Sequence, residues 1–259
     1  MPFPAPLPGL PLAFLLAAAP QPALQPALQS CPVPVVQAVE TASTGACRMT
    51  HCAAPLPSLS VCRCIGGPAN SSSGWTATYT VRRGQDTRQW SRPLDDLIPE
   101  QMGPMDVALA DLSGTGSPAP VPSLVIAELD AVSNGVGLHS WTLTLLEPQP
   151  PFRQLAHAET AEYGPGTLAR RLDSKPGCDL LIATAEEDCR GDTSSGILLS
   201  GQWMRLQPDG LRPLASRPPP PRRYVAADDL AGAPGDDRGR PAAWFSTPGP
   251  DQLCPAGSR

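Results

Sequence analysis

Residues Asp106–Leu146 read DVALADLSGTGSPAPVPSLVIAELDAVSNGVGLHSWTLTLL. An apolar run leads into a turn of small residues. A second apolar run begins at Leu124, a loop carries Asn134-Gly135, and a third run begins at Trp141. Short β-type runs separated by Gly, Pro, Ser and Asn clusters are the grammar of antiparallel strands.

The same grammar recurs along the chain. Trp75, Trp141 and Trp203 each open a strand-like run, at spacings of 66 and 62 residues. Before them come the runs Val61–Ile65, Leu124–Leu129 and Leu180–Ala185, each followed by a loop. The hexapeptide APLPSL at Ala54–Leu59 returns as APVPSL at Ala119–Leu124, 65 residues later. A period this long denotes a supersecondary unit of several strands, stacked or arranged radially. The reading is therefore an all-β domain over residues 31–259, with units at about 47–90, 105–153, 165–212 and 222–254. Four such units predict a small β-propeller or propeller-like ring, with a β-sandwich as the alternative. The last unit lacks a Trp-led strand, and an open unit leaves an edge to be covered. The strand expected at 33–39 is assigned to it, closing the ring. Residues 92–102 are expected to form one short helix.

Composition narrows the setting. The 259 residues include 35 Pro and 23 Gly, which favours turns over long helices. Net charge is −5 and no basic stripe occurs, which argues against nucleic acid as a partner. Of the 19 basic residues only Lys175 is lysine, an excess of Arg read as genomic base composition. Residues 1–30 are read as a leader. Leu10–Ala19 is too short to span a membrane and suits the core of a secretory signal. Leu28-Gln29-Ser30-Cys31 resembles the bacterial lipoprotein signal, which implies acylation of Cys31 as one route to a membrane. The expected location is extracytoplasmic.

Eight cysteines, an even count in an exported chain, predict disulfides. Cys178 is expected to bridge Cys189 and pin the acidic loop between them. Cys31 is expected either to bridge Cys254, clasping the two ends of the domain, or to carry the lipid. The pairing of Cys47, Cys52, Cys62 and Cys64 stays open. Zinc ranks below disulfides here, because the spacings are not those of paired C-x2-C ligands and Cys62 and Cys64 share one strand face. His51, between two of these cysteines, is read as a loop histidine.

No H-E-x-x-H, G-x-S-x-G, P-loop or dinucleotide fingerprint occurs. Adjacent acidic pairs such as Asp228-Asp229 and Asp236-Asp237 read as solvated loops. The leading expectation is an exported, non-catalytic binding or scaffolding module whose partner is a protein or glycan of the cell envelope. The alternative is a glycan-directed hydrolase using loop carboxylates at one end of the ring.

The turn Asp111-Leu112-Ser113-Gly114-Thr115-Gly116-Ser117-Pro118, followed by Leu124–Ala127, resembles the FG-GAP or VCBS type of β-propeller repeat. Asp179–Ala183 resembles the last Asp and strand of that pattern, and Asp229–Gly232 its start. The resemblance implies a propeller, and calcium ligands at Asp111, Ser113, Thr115, Asp229 and Asp237. Neutral hydroxyls and the alanines at 119, 231 and 233 replace carboxylates of the pattern, and a hard cation favours carboxylates. Calcium is therefore expected to add little, and no other cofactor is expected.

Overall fold

The computed structural model describes residues 29–30, 35–42, 45–67, 74–94, 102–112, 122–132, 139–161, 168–170, 177–186, 196–215 and 223–226. These form strands and short connections, with no helix among the described residues. The chain opens with three short strands, β1 (Gln29–Ser30), β2 (Val35–Gln37) and β3 (Val39–Thr41). There follow β4 (Cys47–Leu56), β5 (Leu59–Gly66), β6 (Thr76–Arg83), β7 (Asp86–Pro93), β8 (Met105–Ala110), β9 (Ser123–Val132) and β10 (His139–Leu146). The remainder are β11 (Gln154–Thr160), β12 (Leu168–Arg170), β13 (Cys178–Glu186), β14 (Gly196–Gln207), β15 (Gly210–Pro213) and β16 (Arg223–Ala226).

Three antiparallel sheets result. Their orders are β3-β4-β5-β6-β7, β2-β8-β9-β10-β11 and β1-β12-β13-β14-β15, with β16 also on β14. Each contains a meander of four consecutive strands. The expected four-unit ring is not what the described strands form. They make three open sheets, and of the fourth unit only β16 is described, paired with Gly196–Leu199 of β14. The helix expected over 92–102 is corrected at its start, where Arg92 and Pro93 end strand β7, and its interior lies outside the described residues.

The assignment of 33–39 to the last unit is also corrected. Val35–Gln37 pairs with Asp106–Ala108 of the second sheet, and Val39–Thr41 pairs with Thr50–Cys52 of the first. Gln29 and Ser30, inside the expected leader, pair with Arg170 and Ala169 of the third. The N-terminal segment thus lies along the first strand of every meander. Its inward side chains explain the choice: Ala38 is buried in, and Val36 packs against, the core between the first two sheets.

The sheets stack through alternation. On β9, Leu124 and Ile126 face the first sheet, while Val125, Ala127 and Leu129 face the third. Met105 and Val107 of β8 face the first, Ala108 and Ala110 the third. The second sheet is covered on both faces, which is why LVIA in β9 reads as an unbroken apolar run. Leu59 and Leu124, which end the repeated hexapeptides, meet in one core between the first two sheets.

The three tryptophans are buried, at 3 %, 2 % and 6 % exposure for Trp75, Trp141 and Trp203. Trp75 lies just before the third strand of its meander, and the other two lie within theirs. Trp75 packs with Ile65, Ala77 and Met102 on the inward face of the first sheet. Trp141 packs between the second and third sheets. Trp203 lies opposite Leu181, on the far face of the third sheet. Trp75 and Trp141 thus lie on faces turned toward the sheet that follows in the chain.

Candidate functional site

The joint between the first two sheets carries a polar cluster inside an apolar interface. On β5, Val61, Arg63 and Ile65 all point inward, so Arg63 occupies an apolar phase and is fully buried. Its Nη1 donates to Glu128 Oε1 at 3.1 Å and its Nη2 to the Gly103 carbonyl at 2.9 Å. Glu128 and Asp130 share the face of β9 that meets the first sheet. Arg92 of β7 donates from Nε to Tyr79 Oη at 2.8 Å and from Nη2 to Asp130. Thr142 of β10 donates its hydroxyl proton to the other oxygen of Asp130. Two further arginines cross the joint, Arg83 to the Pro148 carbonyl at 2.9 Å and Arg88 to the Phe152 carbonyl.

Burial dominates the electrostatics of this cluster. It lifts the Glu128 carboxyl above its ordinary range, with Arg63 and Arg92 opposing and Asp130 reinforcing. Burial, followed by the Glu128 charge, lifts the Tyr79 hydroxyl, so it stays a neutral phenol. His51 stands opposite Arg63 in register, on strand β4, and is no loop residue. Burial and then the Arg63 charge lower its pKa, which keeps the ring neutral at neutral pH.

The other face of the first sheet is of a different kind. Cys52 bridges Cys62 directly across the β4–β5 pair, with Cα atoms 4.1 Å apart, and Cys47 bridges Cys64 at 5.4 Å. With all four sulfurs in disulfides, no thiolate remains there for zinc. Beside them stand Thr50, Thr76, Thr78, Thr80, Ser60 and Ser91, with Arg82 and Gln89. The aromatics Tyr79 and Trp90 stack on each other on the opposite face, ring centres 5.1 Å apart. This outer face is consequently hydroxyl-rich, without an aromatic side chain among its described residues. Its hairpin is closed twice by covalent bonds.

The expected site residues fare as follows. Asp111 is half-buried, and its backbone carbonyl accepts a hydrogen bond from the Cys178 N–H at 2.5 Å. Ser113, Thr115, Asp229 and Asp237 lie outside the described residues, so the calcium loops are not assembled here. Cys178 is disulfide-bonded. The four other described cysteines pair among themselves, so its partner lies outside the described residues, as do Cys31, Cys189 and Cys254. Among the described residues no group of His, Cys, Asp and Glu is placed to hold a metal ion. A third buried pair joins Asp179 to Arg205 by two hydrogen bonds of 2.6 and 2.7 Å.

The arginines were the missed signal. Reading them as base composition overlooked that Arg63 sits in the inward phase of an alternating strand, where a charge must be paired. Glu128, inside an otherwise apolar run, carries the matching signal.

No family model, no curated protein and no solved structure matches the chain.

Proposed function

We propose that the protein is an exported, non-catalytic binding or scaffolding module of the cell envelope. The observation that carries this reading is the pairing of three carboxylates of the packed sheets with arginines. Glu128 is held by Arg63, Asp130 by Arg92 and Asp179 by Arg205. A general acid, base or nucleophile needs a free proton or lone pair facing a substrate, and these three are engaged with arginines. The two disulfides of the first sheet fit an oxidising compartment, where such bonds persist. The braced, hydroxyl-rich face offers a rigid surface at low ordering cost on binding.

A propeller-like arrangement of four units, as in FG-GAP-type proteins, belongs to the same reading. Its support is the orientation of the three tryptophans, with Trp203 buried on the far face of the third sheet. Calcium is not required in this reading, and attachment to a membrane would come through acylation of Cys31.

The test is to incubate the purified, disulfide-intact protein with envelope polysaccharides and with envelope proteins. Saturable retention without release of reducing ends supports the reading. Steady release of reducing ends overturns it in favour of a glycan hydrolase, and neither retention nor turnover overturns it as well.

A further inference from the structure

We propose that the outer edge of β7, on which no described strand pairs, is a docking edge for an extended, acidic segment of a partner protein. The proposal rests on the binding reading above and gives it a surface and a partner chemistry.

The phase of the backbone hydrogen bonds decides which groups are free. Leu94 N–H donates to the Trp75 carbonyl at 2.9 Å, and Thr76 stands opposite Pro93. Bonded pairs alternate with non-bonded pairs along an antiparallel ladder. Ala77–Arg92 and Tyr79–Trp90 are therefore bonded pairs, whereas Thr78–Ser91, Thr80–Gln89 and Arg82–Thr87 are not. Two observations agree. The Thr78 and Ser91 hydroxyls lie 2.8 Å apart, as the closer side chains of a non-bonded pair allow. The short Cα separation of Cys52 and Cys62 makes theirs a non-bonded pair too, which fixes the same phase two strands away. The N–H and C=O groups of Thr87, Gln89 and Ser91 consequently point away from β6, and all three residues are exposed.

Proteins blunt such edges with charges, bulges, brevity or cover. Here the edge runs eight residues and is closed at one end by Pro93, which has no N–H. Its two arginines do not guard it, because Arg88 and Arg92 reach across to the second sheet. The residues beside the outward backbone groups are neutral. The other outer edges differ. The end of β11 is tied to the third sheet, with Ala183 N–H on the Thr160 hydroxyl and Ala161 N–H on the Ala183 carbonyl. Strand β15 has four residues.

Charge selects the occupant. A strand added to β7 would place alternate side chains beside Arg88, Trp90 and Arg92. Among the described residues four arginines cross this joint and two carboxylates answer them, while Arg83 and Arg88 donate to neutral carbonyls. Carboxylates flanking an apolar residue, at every second position, complement that row. A second copy of β7 paired about Trp90 sets Arg88 against Arg92, and like charges directly opposite are destabilising. Paired about Gln89 it sets Arg92 against Asp86, and self-association is therefore an outcome of the test.

The probe is a fluorescent peptide, Gly-Thr-Glu-Thr-Val-Thr-Glu-Thr-Gly, titrated into the full-length, disulfide-intact protein by anisotropy. Saturable binding is expected, weakened by salt and by exchange of both glutamates for lysines. Gln89→Pro removes an outward N–H that the sheet itself does not use. It should weaken binding about tenfold or more at an unchanged melting temperature, and Gln89→Ala should leave it within about twofold. The same peptide N-methylated at alternate backbone nitrogens should not bind, a check on the unmodified protein should Gln89→Pro fail to fold. No saturable binding, or binding equal in Gln89→Pro and with the N-methylated peptide, overturns the proposal. Self-association lost in Gln89→Pro would assign the edge to a second copy and overturn it too. Glycan turnover would sink the binding reading itself, whatever the peptide does.

Discussion

Arg63 and Glu128 lie 65 residues apart, one repeat period, and their side chains meet at 3.1 Å across the joint of two sheets. Arg83 and Pro148 are also 65 apart, and Arg88 and Phe152 are 64 apart. The first two sheets therefore stack with corresponding strands facing each other.

Removing one partner of this pair should be costly and asymmetric. Arg63→Ala strands the Glu128 carboxyl and the Gly103 carbonyl and leaves a cavity, for an expected loss of about 3–5 kcal/mol. Glu128→Gln keeps an amide oxygen for Arg63 and should cost less than half of that. Urea denaturation of both variants measures the difference, and equal losses would contradict the assignment.

The pH dependence of stability follows from the raised Glu128 pKa. Folding takes up a proton there, so this contribution is complete below the ordinary value of 4.5 and is lost as pH rises through the higher folded value. Relative to Glu128→Gln, the wild-type melting temperature should fall as pH rises above the ordinary value of 4.5. A difference that rises with pH would mean that ion pairing outweighs burial.

Peptide mapping without reduction should return Cys47–Cys64 and Cys52–Cys62. Replacing Cys52 and Cys62 together by alanine opens a ten-residue loop and should cost about 2–3 kcal/mol in the chain-entropy account. The same map should link Cys178 to Cys189. A link from Cys178 to Cys31 or Cys254 would refute that pairing.

Trp141, between two sheets, should be the costlier of two truncations to alanine. The expected loss is about 3–5 kcal/mol, because it shares a buried cluster with Leu129, opposite it in register, and with Leu143 on its own strand. Trp203→Ala tests the far face of the third sheet. A loss below about 1 kcal/mol would mean that this face does not pack against a further unit.

Part of the sheet packing was legible in residues buried between sheets. Leu59 and Leu124, at the ends of the similar hexapeptides, share one core between the first two sheets, and Trp141 is buried between the second and third. The partners of short strands were not legible. Val35–Gln37 reads as a strand, but nothing in VVQ names β8 as its mate, since ladder hydrogen bonds are the same for every residue. The polar cluster was half legible. Arg63 and Glu128 each break an apolar phase, yet joining them required the stacking order of the sheets.

The N-terminal segment also sets a timetable. Gln29 reaches its final register only against Arg170, so the earliest of these strands waits for one of the last. The two disulfided strands, β4 and β5, find each other within twenty residues and need no such delay. On chain-closure entropy alone, assembly is expected to start at a local hairpin and to finish with the N-terminal strands, since the pairing of Gln29 with Arg170 closes the longest loop among the described pairings.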